Sequence, residues 1–313
     1  MFLFSVVIPT YNNLEELKNC LASFENQTIK DFEIIVCVDG STDGTIEYLT
    51  SSIFSFRIRI FEHKDKKNHG RATTRNLVLN KLNSKFVLFI DSDTTAIHNL
   101  IEEHYNLLQN QTKIISLGSI FYTNEKTNLV AYYLNQRGKN NNKHLDELIP
   151  QYFTTQNFAL SVDDFNYTQG FDEIYDQSYG GEDTEYAIRI TKNFGYKIIN
   201  NNKAIVYSIM DKTPEKLLIQ MHNFGYTNLN LLIKTYPEYN IFKTNFMLKH
   251  SLILTLSVTI YNLLKSVVFK PIISFKSLSN KYKYPIFHLM IWLEILRGFK
   301  LNLIDKANKN GIA

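Results

Sequence analysis

Two aspartates that flank a serine form the sharpest local feature of this 313-residue sequence. Asp91 and Asp93 follow an apolar run, Phe86 to Ile90, with the composition of a buried strand. Carboxylates at i and i+2 after a strand converge on one point, which suits a hard divalent cation that also binds phosphate oxygens. An N-cap is the alternative, because a helical stripe begins at Ile97 and negative charge is favoured before a helix. The motif alone leaves both interpretations open.

A second feature of this kind is the segment Gly-Gly-Glu-Asp-Thr-Glu at residues 180–185. Two glycines allow a tight turn, after which Glu182 and Asp183 open a predicted helix that ends near Phe194. A carboxylate held at this place suits a general base acting on a bound substrate. The alternative is that these acidic residues only stabilise the start of the helix by interacting with its dipole.

Strands and helices alternate through the first 120 residues and must position these groups. Short runs rich in Val, Ile and Phe predict strands, several of them covered on both faces. The predicted strands lie at residues 4–8, 33–38, 57–61, 86–90 and 114–117. Because apolar residues at helical spacing lie between them, we predict an α/β fold with a mostly parallel sheet flanked by helices.

Polar turns follow four of the predicted strands. They are Pro9–Asn12, Asp39–Gly44, the segment from His63 through Arg71 to Asn76, and Asp91–Asp93. Any one of them is ordinary, because turns commonly use Asp, Gly, Ser and Asn. Parallel strands bring all four to the edge where open α/β sheets bind ligands, so together they indicate a site.

The overall composition is that of a globular protein. Its 44% hydrophobic and 20% charged residues exclude a disordered or collagen-like chain. Cys20 and Cys37 are too few for a disulfide framework or a zinc site, which favours a reducing compartment. The start, Met1 to Phe4, has no basic segment typical of a signal peptide. We therefore expect a cytoplasmic protein.

The net charge of +4 conceals two unlike regions. Residues 240–313 contain eleven Lys and Arg and two acidic residues, a net of +9, which leaves −5 for residues 1–239. We predict a catalytic domain over residues 1–239 and a basic, apolar helical region over residues 240–313.

The basic region favours peripheral contact with an anionic membrane, because lysines lie at the margins of apolar helices. Packing on the rest of the protein is the alternative. Its longest apolar run, Ser251 to Leu264, is shorter than the ~18 residues of a membrane span. Nucleic acid is not an expected partner, since no recognition motif accompanies the charge.

Taken in order, these motifs resemble those of family 2 glycosyltransferases, which have the GT-A fold. Later segments resemble the acceptor-side half of galactosyltransferase-like members, and the match extends over about residues 4 to 235. The resemblance rests on Ser5–Asn12, Val38–Thr45, Gly70 with Arg75 and Asn76, Asp91–Asp93, Thr155–Leu160, Gly170–Glu173 and Gly181–Arg189.

The resemblance implies that the early motifs bind a nucleotide-sugar and its metal. Asp39 would accept from the base N–H, Asp91 would face the ribose, and Asp93 would ligate the Mn²⁺ or Mg²⁺ that bridges the diphosphate. The residues expected to bind the donor, a UDP-sugar by preference, are Pro9, Thr10, Tyr11, Asp39, Arg71, Asp91, Ser92 and Asp93.

The resemblance assigns the acceptor side to the later motifs. Asp183 would take the proton of the acceptor hydroxyl, and Glu182, Gly181 and Asn157 would bind the acceptor. One base and one metal suffice for a single displacement that inverts the anomeric carbon, whereas double displacement needs a second carboxylate close to the sugar.

The expected enzyme is an inverting hexosyl- or N-acetylhexosaminyltransferase. It would transfer to a glycan or a lipid-linked acceptor in surface polysaccharide or oligosaccharide synthesis, at the inner face of the cell membrane.

One position departs from the family pattern. Many relatives carry a metal-binding His after the last strand of this domain, and this sequence has Ser208 there. Asp211 is the expected substitute ligand, with water as the alternative. His222 is interpreted as a structural histidine.

Two other functions stay open. Phe89 to Thr94 resembles the DxDxT motif of HAD-type phosphatases, although three predicted strands precede it here and that motif normally leads its domain. An inactive transferase that partners an active one at the membrane would explain the missing His. A Rossmann dehydrogenase is disfavoured, because no G-x-G-x-x-G follows the first strand.

Overall fold

The computed structural model describes residues 1–137, 152–237 and 251–309, which divide into two compact units. The sheet unit comprises Met1–Thr123, Gly138–Asp176 and Glu182–Ile209. The helical unit comprises Asn124–Arg137, Gln177–Gly181 and Met210–Ala313. The predicted functional boundary at residue 240 lies outside the described residues and stays a prediction.

A mixed sheet of eight strands forms the centre of the sheet unit in the described residues. The strands are β1 Phe2–Thr10, β2 Phe32–Val38, β3 Arg57–Glu62, β4 Ser84–Ile90, β5 Thr94–Ala96, β6 Ile114–Tyr122, β7 Asn157–Ser161 and β8 Lys197–Ser208. Their order is β3-β2-β1-β4-β7-β6-β8-β5. The pairs β1–β2, β2–β3, β1–β4 and β6–β8 are parallel, which confirms the predicted α/β architecture.

Two short strands that the sequence did not predict complete the sheet. β7 is antiparallel to both β4 and β6, and the three-residue β5 is antiparallel to β8. β7 lies in a stretch rich in Asn, Tyr and Gln. Such short strands are fixed by the neighbours they pair with rather than by a pattern of their own.

Helices cover the sheet and form most of the helical unit. In the sheet unit they begin with α1 Leu14–Ala22, α2 Thr45–Ser51, α3 Arg71–Asn76 and α4 Leu100–Leu108. Next in chain order, α5 Leu129–Gln136 belongs to the helical unit, and α6 Val162–Tyr167 and α7 Glu182–Phe194 belong to the sheet unit. The helical unit continues with α8 Pro214–Tyr226, α9 Asn228–Thr235, α10 Ser251–Leu264, α11 Lys270–Ser274 and α12 Asn280–Lys309.

Both faces of the sheet are buried, as the continuous apolar strands predict. Val6 of β1 packs in one core cluster with Leu17 of α1. The next residue, Val7, points to the opposite face and packs with Phe89 and Tyr186. The strand ends are therefore held rigidly from two sides.

In the helical unit, α8 and α12 cross at very short range. A Cβ added at Gly225 would lie 2.0 Å from the carbonyl oxygen of Ile295, and one added at Gly298 would lie 2.0 Å from that of His222. Glycine is therefore required at both positions of the crossing, which fixes the centre of α12 against α8.

The apolar segment after residue 250 forms a longer helix than its sequence indicates. α10 continues through a π-helical turn, Lys265–Phe269, into α11. Leu252–Ser274 spans 23 residues, has a mean hydropathy of 1.8 in its apolar window, and alone among the described helices could cross a membrane by length and composition. The uninterrupted apolar run Ser251 to Leu264 is shorter than a membrane span, as predicted, and the helix reaches this length only because it continues past Lys265.

Candidate active site

A cleft of about 210 Å³ opens in the sheet unit at the ends of β1, β2 and β4. These strands are neighbours in the sheet, and α3 completes the wall. The lining residues are Pro9, Thr10, Tyr11, Asn13, Asp39, Arg71, Thr74, Arg75, Asp91, Ser92 and Asp93. The structure thus brings together all eight residues that the sequence assigned to the donor nucleotide.

Asn12 connects the turn after β1 to the turn after β2. It adopts a left-handed conformation with φ 47°. Its N–H donates to Ser41 Oγ over 3.0 Å, and its Oδ1 accepts from Thr42 N–H over 2.8 Å. The neighbouring Tyr11 is 51% exposed, whereas Thr10 is buried. The cleft therefore has an accessible aromatic ring on a fixed turn.

Asp39 is buried and organises the loop before α3. Its carboxylate accepts hydrogen bonds from His69 N–H (2.7 Å), Asn68 Nδ2 (2.9 Å) and Gly70 N–H (3.2 Å). A carboxylate offers about four acceptor sites. His63 Nε2 lies 3.4 Å from Asp39 Oδ1 as well, so the surrounding residues hold this carboxylate in a fixed position at the cleft.

Asp176 orients α3, a role that the sequence did not reveal. Its carboxylate accepts from Ala72 N–H (2.9 Å), Thr73 N–H (2.7 Å) and Thr73 Oγ (2.8 Å). These bonds satisfy the free N–H groups at the start of the helix. Because 104 residues separate Asp176 from Ala72, no local pattern signals the contact.

Arg75 is a candidate binding residue that the sequence-based interpretation did not include in the site. It is 1% exposed, lines the cleft, and donates from Nη2 to Asp91 Oδ1 over 2.7 Å. Its Nε and Nη1 have no hydrogen-bond partner among the described residues. A buried guanidinium with unused donors is costly unless a ligand completes it. Its position in the Arg75–Asn76 motif was the available signal.

The Asp91–Asp93 segment is a turn between two strands, not a helix cap. Thr94 N–H and Thr94 Oγ both bond to the Asp91 carbonyl, and β5 begins at Thr94. Helix α4 starts later, at Leu100. Ser92 Oγ accepts from Asn13 Nδ2 over 3.0 Å. The N-cap interpretation of Asp93 was therefore wrong.

The glycine pair before α7 makes the tight turn that its sequence predicts. Gly180 and Gly181 have left-handed φ values of 79° and 104°, and α7 begins at Glu182. Glu182 is buried, while Asp183 is half-buried. Burial raises the pKa of Glu182, opposed by the cation of Arg71 and reinforced by the charge of Asp183.

Arg71 connects the cleft to the start of α7. It lines the cleft, and its Nη2 lies 3.2 Å from Glu182 Oε1. The other oxygen, Glu182 Oε2, has no hydrogen-bond partner among the described residues. The ion pair thereby brings Glu182 next to Arg71, which lines the same cleft as Asp91 and Asp93 in the sheet unit.

Asn157 lies in the protein interior, apart from the cleft lining. It is fully buried, its Oδ1 is 2.9 Å from His104 Nε2, and its Nδ2 donates to the carbonyls of Ala204 (3.0 Å) and Ser119 (3.2 Å). The predicted acceptor contact through Asn157 is therefore wrong, because its amide is used to join β7 to β6 and β8.

The third predicted metal ligand lies in the other unit. Ser208, where a His was expected, is buried at the end of β8 and pairs with Thr94. Asp211 belongs to the helical unit. His222 is in α8, with Nδ1 3.4 Å from Glu294 Oε2, which agrees with a structural histidine.

The cleft supplies the donors that a substrate-bound divalent cation needs. The described residues contain no group of three or more His, Cys, Asp and Glu able to hold a metal. Mg²⁺-type cations, however, commonly bind through one or two carboxylates plus substrate phosphates. Asp93, which is exposed in the cleft, and Asp91 fit that arrangement.

The sheet and its carboxyl-edge cleft define a GT-A type fold of nucleotide-sugar transferases. Residues 5–171 match the family model for glycosyl transferase family 2. Because this match covers more than half of the chain, the protein belongs to family 2 of the glycosyltransferases. The phosphatase interpretation loses its support.

Known proteins resemble the chain in sequence or fold. Mannosyltransferase PcManGT from Pyrobaculum calidifontis, solved with GDP-Man and Mn²⁺, superposes with a TM-score of 0.62 at 15% identity, over 97% of this chain and 88% of that one. S. aureus TarS 1–349 with UDP has a TM-score of 0.52 at 16% identity, over 98% and 91%; TarS was also solved with UDP-GlcNAc.

A curated relative from Staphylococcus aureus (strain N315) is named poly(ribitol-phosphate) beta-N-acetylglucosaminyltransferase TarP. It is 27% identical over 245 residues, which cover 77% of this chain and 63% of TarP. The chain spans less than two thirds of the length of the curated relatives it matches.

Proposed function

We propose that the protein is an inverting, metal-dependent glycosyltransferase that moves a sugar from a nucleotide-sugar to an acceptor hydroxyl. The observation that carries this proposal is the position of Arg71, which lines the cleft and pairs with Glu182 next to Asp183. A donor bound in the cleft and a base on α7 are then close enough to share one reaction.

The donor nucleotide binds in the cleft with its base against Tyr11. The exposed ring offers a stacking surface, and Asp39, which also lines the cleft, would accept from a base N–H. We propose UDP as the nucleotide, which the UDP and UDP-GlcNAc complexes of TarS support. The sugar transferred is a hexose or N-acetylhexosamine, in keeping with the names of TarP and PcManGT.

Asp91 and Asp93 would hold Mn²⁺ or Mg²⁺, with water completing the coordination; the contribution of Asp211 stays a prediction. When bound, such a cation neutralises negative charge on the departing diphosphate. Arg75 has a separate role: its ion pair with Asp91 fixes that carboxylate, and its Nε and Nη1 are available for the donor.

Asp183 takes the proton of the acceptor hydroxyl while that oxygen attacks the anomeric carbon from the side opposite the diphosphate. The configuration inverts in this single step, because one bond forms as the other breaks on the far side. Glu182 and Gly181 border the acceptor and keep Asp183 at the start of a rigid helix. A carboxylate base of this kind contributes about 10²- to 10⁴-fold to the rate.

The acceptor is a glycan or a lipid-linked glycan in the synthesis of a surface polysaccharide or oligosaccharide. The enzyme works in the cytoplasm at the inner face of the cell membrane, with peripheral contact through residues 240–313. The net charge of +9 in that region supports the contact.

Slow hydrolysis of a panel of nucleotide-sugars, without acceptor, tests the proposal with and without Mn²⁺. We expect one UDP-sugar to be hydrolysed only with metal, and calorimetry to show UDP binding that Mn²⁺ strengthens. Asp93→Asn should remove the metal effect on UDP affinity, while the exposed control Asp31→Asn should keep it. Equal UDP affinity with and without Mn²⁺ would refute the metal assignment, and an inert, non-binding protein would favour the inactive-partner alternative.

A further inference from the structure

The long helix formed by α10, the π-helical turn and α11 has three different faces. One face is buried within the protein and contains Leu254, Val258 and Tyr261. A second face is apolar and exposed, and we call it the apolar stripe. It consists of Leu252 (84% exposed), Leu256 (62%), Ile260 (46%), Leu263 (70%) and Val267 (76%). A third face is exposed and polar, with Thr255, Thr259, Asn262 and Ser266. Each set recurs at three- and four-residue spacing, as on one side of a helix.

The buried face attaches the helix along its side to α12. Tyr261 Oη donates to Glu294 Oε1 over 2.9 Å, and Lys265 forms an ion pair with the same carboxylate. Arg297 Nη1 lies 3.3 Å from Glu294 Oε2. Lys265 and Glu294 are therefore held at the middle of Leu252–Ser274.

An ion cluster at mid-length argues against a helix that crosses a membrane. Spanning would place Lys265, Glu294 and Arg297 near the hydrocarbon centre, where charges are very costly. A helix that lies in the membrane plane avoids this cost, because its buried side stays in protein and its apolar stripe enters the lipid. The adjacent Ser, Thr and Asn face then meets the polar headgroups.

Exposed lysines after the stripe in the chain indicate which kind of lipid surface the stripe would contact. Lys270, Lys276 and Lys281 are exposed and form no ion pair among the described residues. Phe275 precedes Lys276 and Tyr282 follows Lys281 in the chain, and these two rings are 61% and 66% exposed. Exposed lysines next to aromatic and aliphatic side chains complement anionic headgroups above an acyl layer.

We propose that the apolar stripe inserts in plane into the interface of an anionic lipid membrane. This inference rests on the proposed membrane contact of residues 240–313 and narrows it to one helix face. Residues outside the stripe attach the helix to the protein, so the stripe is available without any unfolding.

Sedimentation of the full chain with vesicles tests the stripe. We compare vesicles of phosphatidylethanolamine alone with vesicles that also contain phosphatidylglycerol. The double variant Leu256→Asn and Leu263→Asn should bind the anionic vesicles about 100-fold more weakly, since two leucines no longer enter the lipid. The matched control Thr255→Asn and Thr259→Asn, on the polar face, should bind as the parent does. Nucleotide-sugar hydrolysis should be equal in all three.

A depth measurement separates in-plane insertion from spanning. The single variants Leu252→Cys and Val267→Cys are each labelled with a polarity-sensitive dye. Quenchers attached to the lipid at known depths should report the same shallow depth for both dyes. The native cysteines are buried and do not compete for the dye. Depths that differ by about 20 Å, the rise over 15 helical residues, would overturn the in-plane arrangement.

The remaining outcomes identify which proposal fails. A parent protein that ignores anionic vesicles refutes the membrane contact itself and leaves the transferase proposal untouched. If the leucine variants bind vesicles as strongly as the parent does, the proposed insertion of the apolar stripe is wrong. Leucine variants that lose self-association in light scattering while keeping vesicle binding show that a second copy of the chain covers it.

Discussion

Each unit of this protein buries a glutamate, and the two carboxylates have opposite properties. Burial raises the pKa of Glu182 in the sheet unit, and one of its oxygens lacks a hydrogen-bond partner among the described residues. Glu294 in the helical unit is 1% exposed. Burial alone would raise its pKa too, but contacts with His222, Lys265 and Tyr261 lower it to about 2.

The difference separates a site built for a ligand from a site built for stability. Buried polar groups are normally satisfied within the protein, as Glu294 is. At the cleft the described structure leaves Thr10 Oγ and two nitrogens of Arg75 without a hydrogen-bond partner, and Oε2 of Glu182, the ion-pair partner of Arg71, also has none. Buried groups without a partner cost free energy in the protein without substrate. A substrate that supplies the missing hydrogen bonds offsets this cost. Groups with perturbed properties are therefore typical of functional sites.

The largest expected effect is on catalysis at the start of α7. Asp183→Asn should lower the transfer rate about 10³-fold, because the amide cannot accept the acceptor proton. UDP affinity should stay unchanged, since Asp183 is not among the cleft residues. Turnover and calorimetry measure the two quantities. Asp163→Asn, at an exposed position, serves as the control. If Asp183→Asn turns over at the parental rate, Asp183 is not the base.

The next effect tests the comparison directly. Glu294→Gln should lower the free energy of unfolding by about 3 kcal/mol, because Lys265 and Arg297 lose their shared counter-ion. Glu182→Gln should change it by less than about 1 kcal/mol at pH 7, since Arg71 is 44% exposed. Urea denaturation of both variants measures the difference. If the two losses are equal, the distinction between the carboxylates is wrong.

A smaller effect, which depends on pH, is expected at His104 in the sheet unit. This residue is buried, and both of its ring nitrogens have hydrogen-bond partners. His104 Nε2 donates to Asn157 Oδ1, and Nδ1 accepts from Ser116 Oγ. Burial lowers the pKa of His104 from 6.5 to about 4. The neutral ring therefore stabilises the fold above pH 6.5, and this stability is lost as the pH falls from 6.5 towards 4.

Between pH 7 and pH 5 the parent should lose about 2 kcal/mol more stability than His104→Gln. Thermal or urea unfolding at both pH values measures this loss, with the exposed His98→Gln as control. Parallel pH profiles for parent and His104→Gln would show that this histidine is not kept neutral by the fold.

Much of the donor side could be predicted, because each residue lies in a short motif directly after a strand. Pro9 to Tyr11, Asp39 and Asp91 to Asp93 needed only the rule that parallel strands present their ends at one edge. Asn157 misled the prediction for the opposite reason. Its motif is local, but the carbonyls that occupy its amide come from β6 and β8, distant in sequence.

By itself, the sequence determined the α/β class, the carboxyl-edge cleft and the basic, apolar end of the chain, because these follow from hydrophobic period, turn chemistry and charge. Only the tertiary structure decided which buried polar groups are satisfied. It tied Arg75 to Asp91, Asp176 to α3 and Glu294 to Lys265, and it divided one apolar helix into a packed face and an exposed one. Those outcomes depend on partners far apart in the chain, which no local pattern encodes.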